Sequence, residues 1–270
     1  MSAGNLLEAI VLGVIQGIAE FLPISSSGHL VICADIIKAF TGEEFDPEAS
    51  LQMNVALHAG TLLSIVIVYR KILLKMIFQP NSWSPILIAT APLVLIALTP
   101  IKDMMEAMAT PMVAGVCLLV TAALLFLSAR FQGKSDPEPP ADIEVPIWKA
   151  AIIGLFQAFA LLPGISRSGS TITSALFLGI SREEAARFSF LIAIPAISGA
   201  TLLMLKDYFS EGAKSSVSLM PLAVGALVSF LVGLFALKWL LKIIARGKLH
   251  YFGWYCLTVG LLTIGWKLFI

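Results

Sequence analysis

Gln16 and Glu20 stand four residues apart and are followed by Ser25, Ser26, Ser27 and His29, all inside the stretch Gly13 to His29 that reads GVIQGIAEFLPISSSGH. A spacing of four puts Gln16 and Glu20 on one helix face. Pro23 and the serines then break that helix, and a new one is expected near Gly28. Hydroxyls and free N–H groups at a helix start, aided by the positive end of the helix dipole, favour an anion, and His29 falls on the first turn beside it. A second stretch, Gly154 to Ser170, reads GLFQAFALLPGISRSGS and continues with Thr171. It supplies Ser166, Arg167, Ser168, Gly169, Ser170 and Thr171 at another hydroxyl-rich helix start. The guanidinium of Arg167, if buried, wants a planar oxyanion such as phosphate or carboxylate.

Brought together, these residues give a carboxylate, an imidazole, a guanidinium and a ring of hydroxyls. They are the parts of a phosphoryl-transfer site, where catalysis is largely positioning and neutralisation of charge. Ser26 or a neighbouring serine could attack phosphorus while His29 moves the proton. Glu20 with Gln16 would suffice for a Mg²⁺ ion that also bridges substrate phosphates. Blander readings compete. Serines in membrane helices often bond their own backbone or join helices. Glu20 needs a partner, which Arg167, His29 or a metal could each provide, and a purely structural pair with Arg167 stays open.

The elements that position these residues belong in a bilayer. Of 270 residues, 58% are hydrophobic, and the mean hydropathy is +0.93. That identifies an integral membrane protein. A net charge of +1 with no basic stripe argues against a nucleic-acid partner. Six stretches of about 20 apolar residues read as spans: 52–70, 84–102, 111–129, 185–205, 219–241 and 251–269. Two more apolar regions, 5–38 and 148–180, are broken centrally by Pro, Gly and Ser. Each half is short for a crossing, so each region is read as a re-entrant helical hairpin. Backbone interrupted at membrane depth survives only where it is buried in protein or lines a wet cavity, which points to a site.

The Pro-rich and charged stretch 130–147 is read as a cytoplasmic linker between 1–129 and 148–270 within a single membrane domain. Shifting one half by 141 residues aligns the two motif stretches without a gap. Gly13, Gln16, Ala19, Ile24, Ser25, Ser27 and Gly28 then fall on Gly154, Gln157, Ala160, Ile165, Ser166, Ser168 and Gly169, seven identities in seventeen. Each half holds one hairpin and three spans. Because three is odd, the second half inserts upside down, which is the inverted-repeat plan in which broken helices meet near the midplane. The expected fold is therefore all-α, with six transmembrane helices plus two re-entrant hairpins. With the N-terminus outside, twelve Lys and Arg residues are cytoplasmic and five are outside, as the positive-inside rule asks. The acidic residues Glu43, Glu44, Asp46 and Glu48 also fall outside. Both termini are expected in the periplasm or cell exterior.

Asn54 and His58 could line the same cavity, and helix–helix bonding explains them equally well. Arg182, Glu183, Glu184 and Arg187 are expected as a solvated helix start. Cys33, Cys117 and Cys256 read as small membrane hydrophobes. The first basic residue is Lys38, so the basic region of a secretory signal is missing and no cleavage is expected.

QGIAEFLPISSSGH followed by LLPGISRSGSTIT resembles the undecaprenyl-diphosphate phosphatases of the bacitracin-resistance type, as do NVALHAGT at Asn54 to Thr61 and RFSFLIAIP at Arg187 to Pro195. The resemblance covers the whole chain. It implies removal of the terminal phosphate of a C55 isoprenoid diphosphate on the outer face of the bacterial inner membrane, recycling the carrier lipid for cell-wall synthesis. It also implies a divalent cation, Mg²⁺ or Ca²⁺, Ser26 as nucleophile, His29 as acid/base, and Ser166, Arg167 and Ser168 as the phosphate clamp. Many members carry Glu where this chain has Gln16, which leaves Glu20 as the expected metal ligand. Gln16, Ser25, Ser27, Gly28, Gly169, Ser170 and Thr171 complete the expected substrate contacts. The partners are the lipid substrate and the bilayer, with a homodimer held open. A secondary transporter or flippase of an anionic lipid or small anion, built on the same repeat, is the rival reading. A nucleophile and base beside the anion site weigh against it.

Overall fold

The computed structural model describes residues 3–41, 47–131, 143–210 and 218–269. Residues 132–142 of the expected linker, and Glu43, Glu44 and Asp46 of the acidic stretch, lie outside them. Eleven α-helices occupy the described residues: α1 (Ala3–Ala19), α2 (Ser26–Thr41), α3 (Pro47–Ile77), α4 (Ser84–Ala97), α5 (Ile101–Ala107), α6 (Pro111–Ser128), α7 (Ile147–Phe159), α8 (Arg167–Phe177), α9 (Arg182–Ser210), α10 (Leu219–Ala245) and α11 (Tyr251–Phe269). Five helical stretches are long and apolar enough to cross a membrane: Leu51–Ile77, Pro111–Ser128, Arg182–Lys206, Leu219–Ala245 and Tyr251–Phe269.

The sixth expected span, 84–102, is not one helix. α4 has 14 residues, about 21 Å of rise against a hydrocarbon core of about 30 Å. Pro100 cannot donate an N–H to a continuing helix and disfavours helical backbone at Thr99, so the chain turns there and restarts as α5. Arg182, Glu183, Glu184 and Arg187 also depart from expectation. They open α9, but Glu184 and Arg187 are 5% exposed and form an ion pair rather than a solvated turn. A charge taken out of water needs a partner, and the i, i+3 spacing provides one. Arg182 Nη1 donates to the Ala245 carbonyl at the end of α10, 3.2 Å away, where unsatisfied carbonyls attract a cation.

Packing follows membrane logic. Leu231, Phe235, Leu261 and Leu262 face outward, while small residues meet inside. Gly13 and Gly17 of α1 press on Gly225, Ser229 and Gly233 of α10, since helices without a hydrophobic drive between them gain by close approach. α10 also packs on α3, α4 on α7, and α6 on α11. Helices from before and after the linker therefore interleave.

The two breaks cross at the centre. α2 starts at Ser26 and α8 at Arg167, related by the same 141-residue offset. In the first break, Leu22 N–H still reaches the Ile18 carbonyl at 3.1 Å, Pro23 has no N–H, and Ser25 takes a φ of +65°. That left-handed backbone costs about 1–3 kcal/mol for a residue with a Cβ, so the surroundings must impose it. In the second break, Pro163 is followed by Gly164 at φ +97°. Gly28 and Gly164 lie against each other: a Cβ on Gly28 would stand 2.7 Å from the Gly164 Cα. Gly28→Ala should therefore cost about 1–3 kcal/mol through overpacking. A fall of several degrees in the thermal midpoint of the purified protein in detergent is the expected readout.

Candidate functional site

Ser25 and Ser166 cap their helices in the same way. Ser25 Oγ accepts the Gly28 N–H at 3.3 Å, and Ser166 Oγ accepts the Gly169 N–H at 3.1 Å. Side-chain oxygens commonly satisfy the open N–H groups of a first helical turn like this. Ser25 Oγ also accepts the Gly164 N–H across the crossing, at 3.1 Å. Its unusual φ thereby lets one hydroxyl serve both breaks. From the side, Thr121 of α6 donates its hydroxyl to the Gly164 carbonyl at 2.8 Å and accepts the Ser166 N–H at 3.1 Å.

This frame sets Glu20 opposite Arg167. Arg167 Nη2 donates to Glu20 Oε1 at 2.8 Å. Gln16 Nε2 donates to Oε2 at 2.9 Å, and Ser26 Oγ points at Oε2 from 3.5 Å. Gln16 and Glu20 are buried, at 4% and 9% exposure. Breaking such a pair on one side strands a charge, at a cost of about 3–5 kcal/mol. His58 joins from α3, with Nε2 3.9 Å from Glu20 Oε2 and Nδ1 bonded to the Asn54 carbonyl. Of the two readings weighed for this pair, the structure brings His58 to the carboxylate, while Asn54 contributes only backbone.

A small cavity of about 70 Å³ opens here, lined by Glu20, Ser25, Ser26, Ser27, Ser166 and Arg167. On its border Arg167 Nη1 is buried and has no hydrogen-bond partner. Ser168 Oγ lies 3.3 Å from Ser166 Oγ, and Ser27 Oγ lies 3.4 Å from Ser25 Oγ. The remaining expected residues sit elsewhere. Thr171 bonds the Arg167 carbonyl and Ser189 of α9, at 2.8 and 2.5 Å, so it ties α8 to its neighbour. Ser170 is buried in α8, its hydroxyl unpaired. His29 does not line the cavity. Its Nδ1 meets the Ser25 carbonyl at 2.7 Å and its Nε2 meets the Tyr255 hydroxyl at 2.8 Å. A carbonyl can only accept, so Nδ1 carries the proton and Nε2 of the neutral ring accepts from Tyr255. The Tyr255 ring also stacks on the imidazole, centroids 5.6 Å apart.

The donor set bears on the expected cation. Among the described residues no group of three or more His, Cys, Asp and Glu gathers to hold a metal ion. Glu20, the Gln16 amide oxygen and the serine hydroxyls are hard oxygen donors. They suit Mg²⁺ or Ca²⁺ in the form in which substrate phosphates supply the remaining ligands.

A sequence model of the family described as "Bacitracin resistance protein BacA" matches residues 9–262. This chain belongs to the BacA family. Its relatives include an "Undecaprenyl-diphosphatase" of Rhodopirellula baltica, 41% identical over 261 residues, covering 96% of this chain and 97% of the relative. Proteins of the same name from Korarchaeum cryptofilum (39% over 275 residues; 95% and 97% covered) and Carboxydothermus hydrogenoformans (38% over 261 residues; 95% of each) are also similar.

For this BacA-family chain, sequence reasoning missed Thr121 and Tyr255. A lone threonine in an apolar helix and an aromatic near a span end carry no local signal, because each matters only through what lies beside it. Thr121→Val would leave the Ser166 N–H without its acceptor. The expected cost is about 1–3 kcal/mol, measured as a lower thermal midpoint than that of Thr121→Ser, which keeps the hydroxyl.

Proposed function

We propose that this chain hydrolyses undecaprenyl diphosphate to undecaprenyl phosphate and inorganic phosphate in the bacterial inner membrane, returning the carrier lipid to cell-wall synthesis and conferring bacitracin resistance. The observation that carries this reading is the Arg167 guanidinium. One arm grips Glu20, while Nη1 is buried at the edge of a serine-lined cavity with no partner. A buried donor left unpaired is costly, and a phosphate oxygen arriving there would satisfy it. The family and the names of its members support the same substrate.

In this reading the terminal phosphate sits between the starts of α2 and α8, contacted by Ser25, Ser27 and Gly28 on one side and Ser166, Ser168 and Gly169 on the other. Ser26 Oγ attacks the terminal phosphorus. The bond from that phosphorus to the bridging oxygen breaks, and the polyprenyl monophosphate leaves. Water then releases inorganic phosphate from Ser26. His29, one turn along α2 from Ser26, would take the seryl proton at Nε2 once that nitrogen exchanges the Tyr255 hydroxyl for Ser26, and would deliver it to the leaving group, while the Ser25 carbonyl keeps the other proton on Nδ1. Arg167 neutralises charge on the transferring group. Glu20, with Gln16 beside it, would hold a substrate-bridged Mg²⁺ or Ca²⁺ ion that adds to that neutralisation.

The wider architecture we propose is one membrane domain of two inverted repeats, 1–129 and 148–270, joined by the linker 130–147, with 5–38 and 148–180 as re-entrant hairpins. Three observations support it. The helix starts at Ser26 and Arg167 share the repeat offset. The pairing of α1 with α10 corresponds to that of α7 with α4. The apolar helices Leu6–Ala19 and Ile147–Phe159 are too short to cross. Taking α4, the turn at Thr99 and Pro100, and α5 together as one broken crossing that matches α10 at the repeat offset, and adding the Lys and Arg distribution, this reading has both termini and the site mouth on the periplasmic side. The C55 tail stays in lipid while the diphosphate enters the cavity.

Phosphate release from a polyprenyl diphosphate by the purified protein in detergent tests the proposal. Ser26→Ala, Glu20→Gln and Arg167→Ala should each lose about a hundredfold or more, and Arg167→Lys should not restore the loss, because a point charge cannot grip two oxygens at once. EDTA should stop turnover and Mg²⁺ or Ca²⁺ should restart it. His29→Ala should lose far more activity than His58→Ala, and the reverse order would hand the proton-transfer role to His58. Lipid movement across proteoliposomes without phosphate release would sink the enzyme reading.

A further inference from the structure

A second and larger cavity, of about 660 Å³, lies between α3, α9 and α10. It is remote from the first. His58 and Tyr69 are eleven residues apart on α3, which is about 16 Å of helix rise from the Glu20 cluster. Its walls are apolar, from Val68 and Ile72 of α3 and Leu241 and Ile244 of α10. Its polar part is cationic. Arg70 and Lys71 are exposed at its edge, Glu183 also lines it, and Arg187 lines it already paired with Glu184. Tyr69 lines it too, at 7% exposure, with a buried hydroxyl that makes no hydrogen bond.

Each feature constrains the occupant. An unpaired buried phenol calls for an acceptor or donor from outside the protein fold. Adjacent Arg and Lys at the same place call for an anion. Arg70 spends Nη1 on the Ile67 carbonyl at 2.9 Å, and a guanidinium still has four further N–H groups for a phosphate. A free inorganic anion does not need apolar walls, nor a volume within the usual range for an organic ligand. Basic pockets between membrane-crossing helices are suited to lipid head groups, and α3, α9 and α10 all contain stretches able to cross.

We infer that this cavity binds the phosphate head group of an anionic membrane lipid, with Arg70, Lys71 and the Tyr69 hydroxyl on the phosphate and the first acyl methylenes along Val68, Ile72, Leu241 and Ile244. The site is separate from the phosphoryl-transfer cavity and does not depend on the reading of that cavity. The bound lipid fastens α3 to α9 and α10 at the end away from Glu20, so it stabilises the fold without touching the reacting groups.

Native mass spectrometry and thermal unfolding of the full chain in detergent, supplied with phosphatidylglycerol, phosphatidylcholine or millimolar inorganic phosphate, test the assignment. Wild type should retain phosphatidylglycerol in preference to phosphatidylcholine and unfold several degrees higher with it. The double variant Arg70→Gln/Lys71→Gln should retain it about ten- to thirtyfold less and lose the added stability, while phosphate release stays within about twofold of wild type because the Glu20 cluster is untouched. Tyr69→Phe, which keeps the ring, should weaken retention while being no less stable than wild type without lipid. Wild-type retention by the double variant, equal retention of phosphatidylcholine, or equal protection by inorganic phosphate would each overturn it.

Discussion

A carboxylate and a guanidinium from distant parts of the chain meet inside an apolar protein, and the rest of the architecture is arranged around that pair. Glu20 and Arg167 are 2.8 Å apart. Neither is tolerable alone at membrane depth, where a lone charge is costly and a broken helix leaves backbone groups unsatisfied. Both problems are solved at one place. The breaks that deliver the two charges also supply each other's missing bonds, through Ser25 Oγ to the Gly164 N–H and Thr121 to both sides of the second break. The close approach of Gly28 to Gly164 is what allows this, since side chains there would hold the loops apart.

The same economy gives the cavity the donors that an anion would need. Helix starts expose N–H groups by construction, and here two of them converge with hydroxyls beside a guanidinium that is only half used. The carboxylate stops that cluster from becoming an undifferentiated positive hole: it holds Arg167 in one orientation and is itself held by Gln16. Pre-set geometry of this kind spares a charged site the cost of reorganising when its ligand arrives.

Much of this could be read from residue order. Both breaks were legible because Pro, Gly and clustered Ser act through local backbone chemistry, and the 141-residue offset aligns them in the sequence itself. The offset between the motifs pointed to the two breaks converging, but it left the partner of Glu20 open among Arg167, His29 and a metal, and the structure pairs it with Arg167. What was not legible depends on neighbours. Hydropathy counts apolar residues over 84–102 but is blind to how Thr99 and Pro100 end a helix. The burial of Glu184 and Arg187 depends on what covers the first turn of α9, which the charges themselves argue against. The turn of His29 towards Tyr255, across 226 positions of sequence, is set by the packing of α2 near α11 and has no signature in either segment.

The sharing of Ser25 between the two breaks bears on how such a molecule is made. Residues are synthesised in order, so Glu20 exists long before Arg167 and Gly164 emerge. During that interval the first loop has neither its counter-ion nor the amide that its serine hydroxyl accepts. The first break therefore lacks these partners until the second arrives. Maturation of the pocket is a late, concerted event in biogenesis, and an N-terminal half released on its own has no folded form of it to keep.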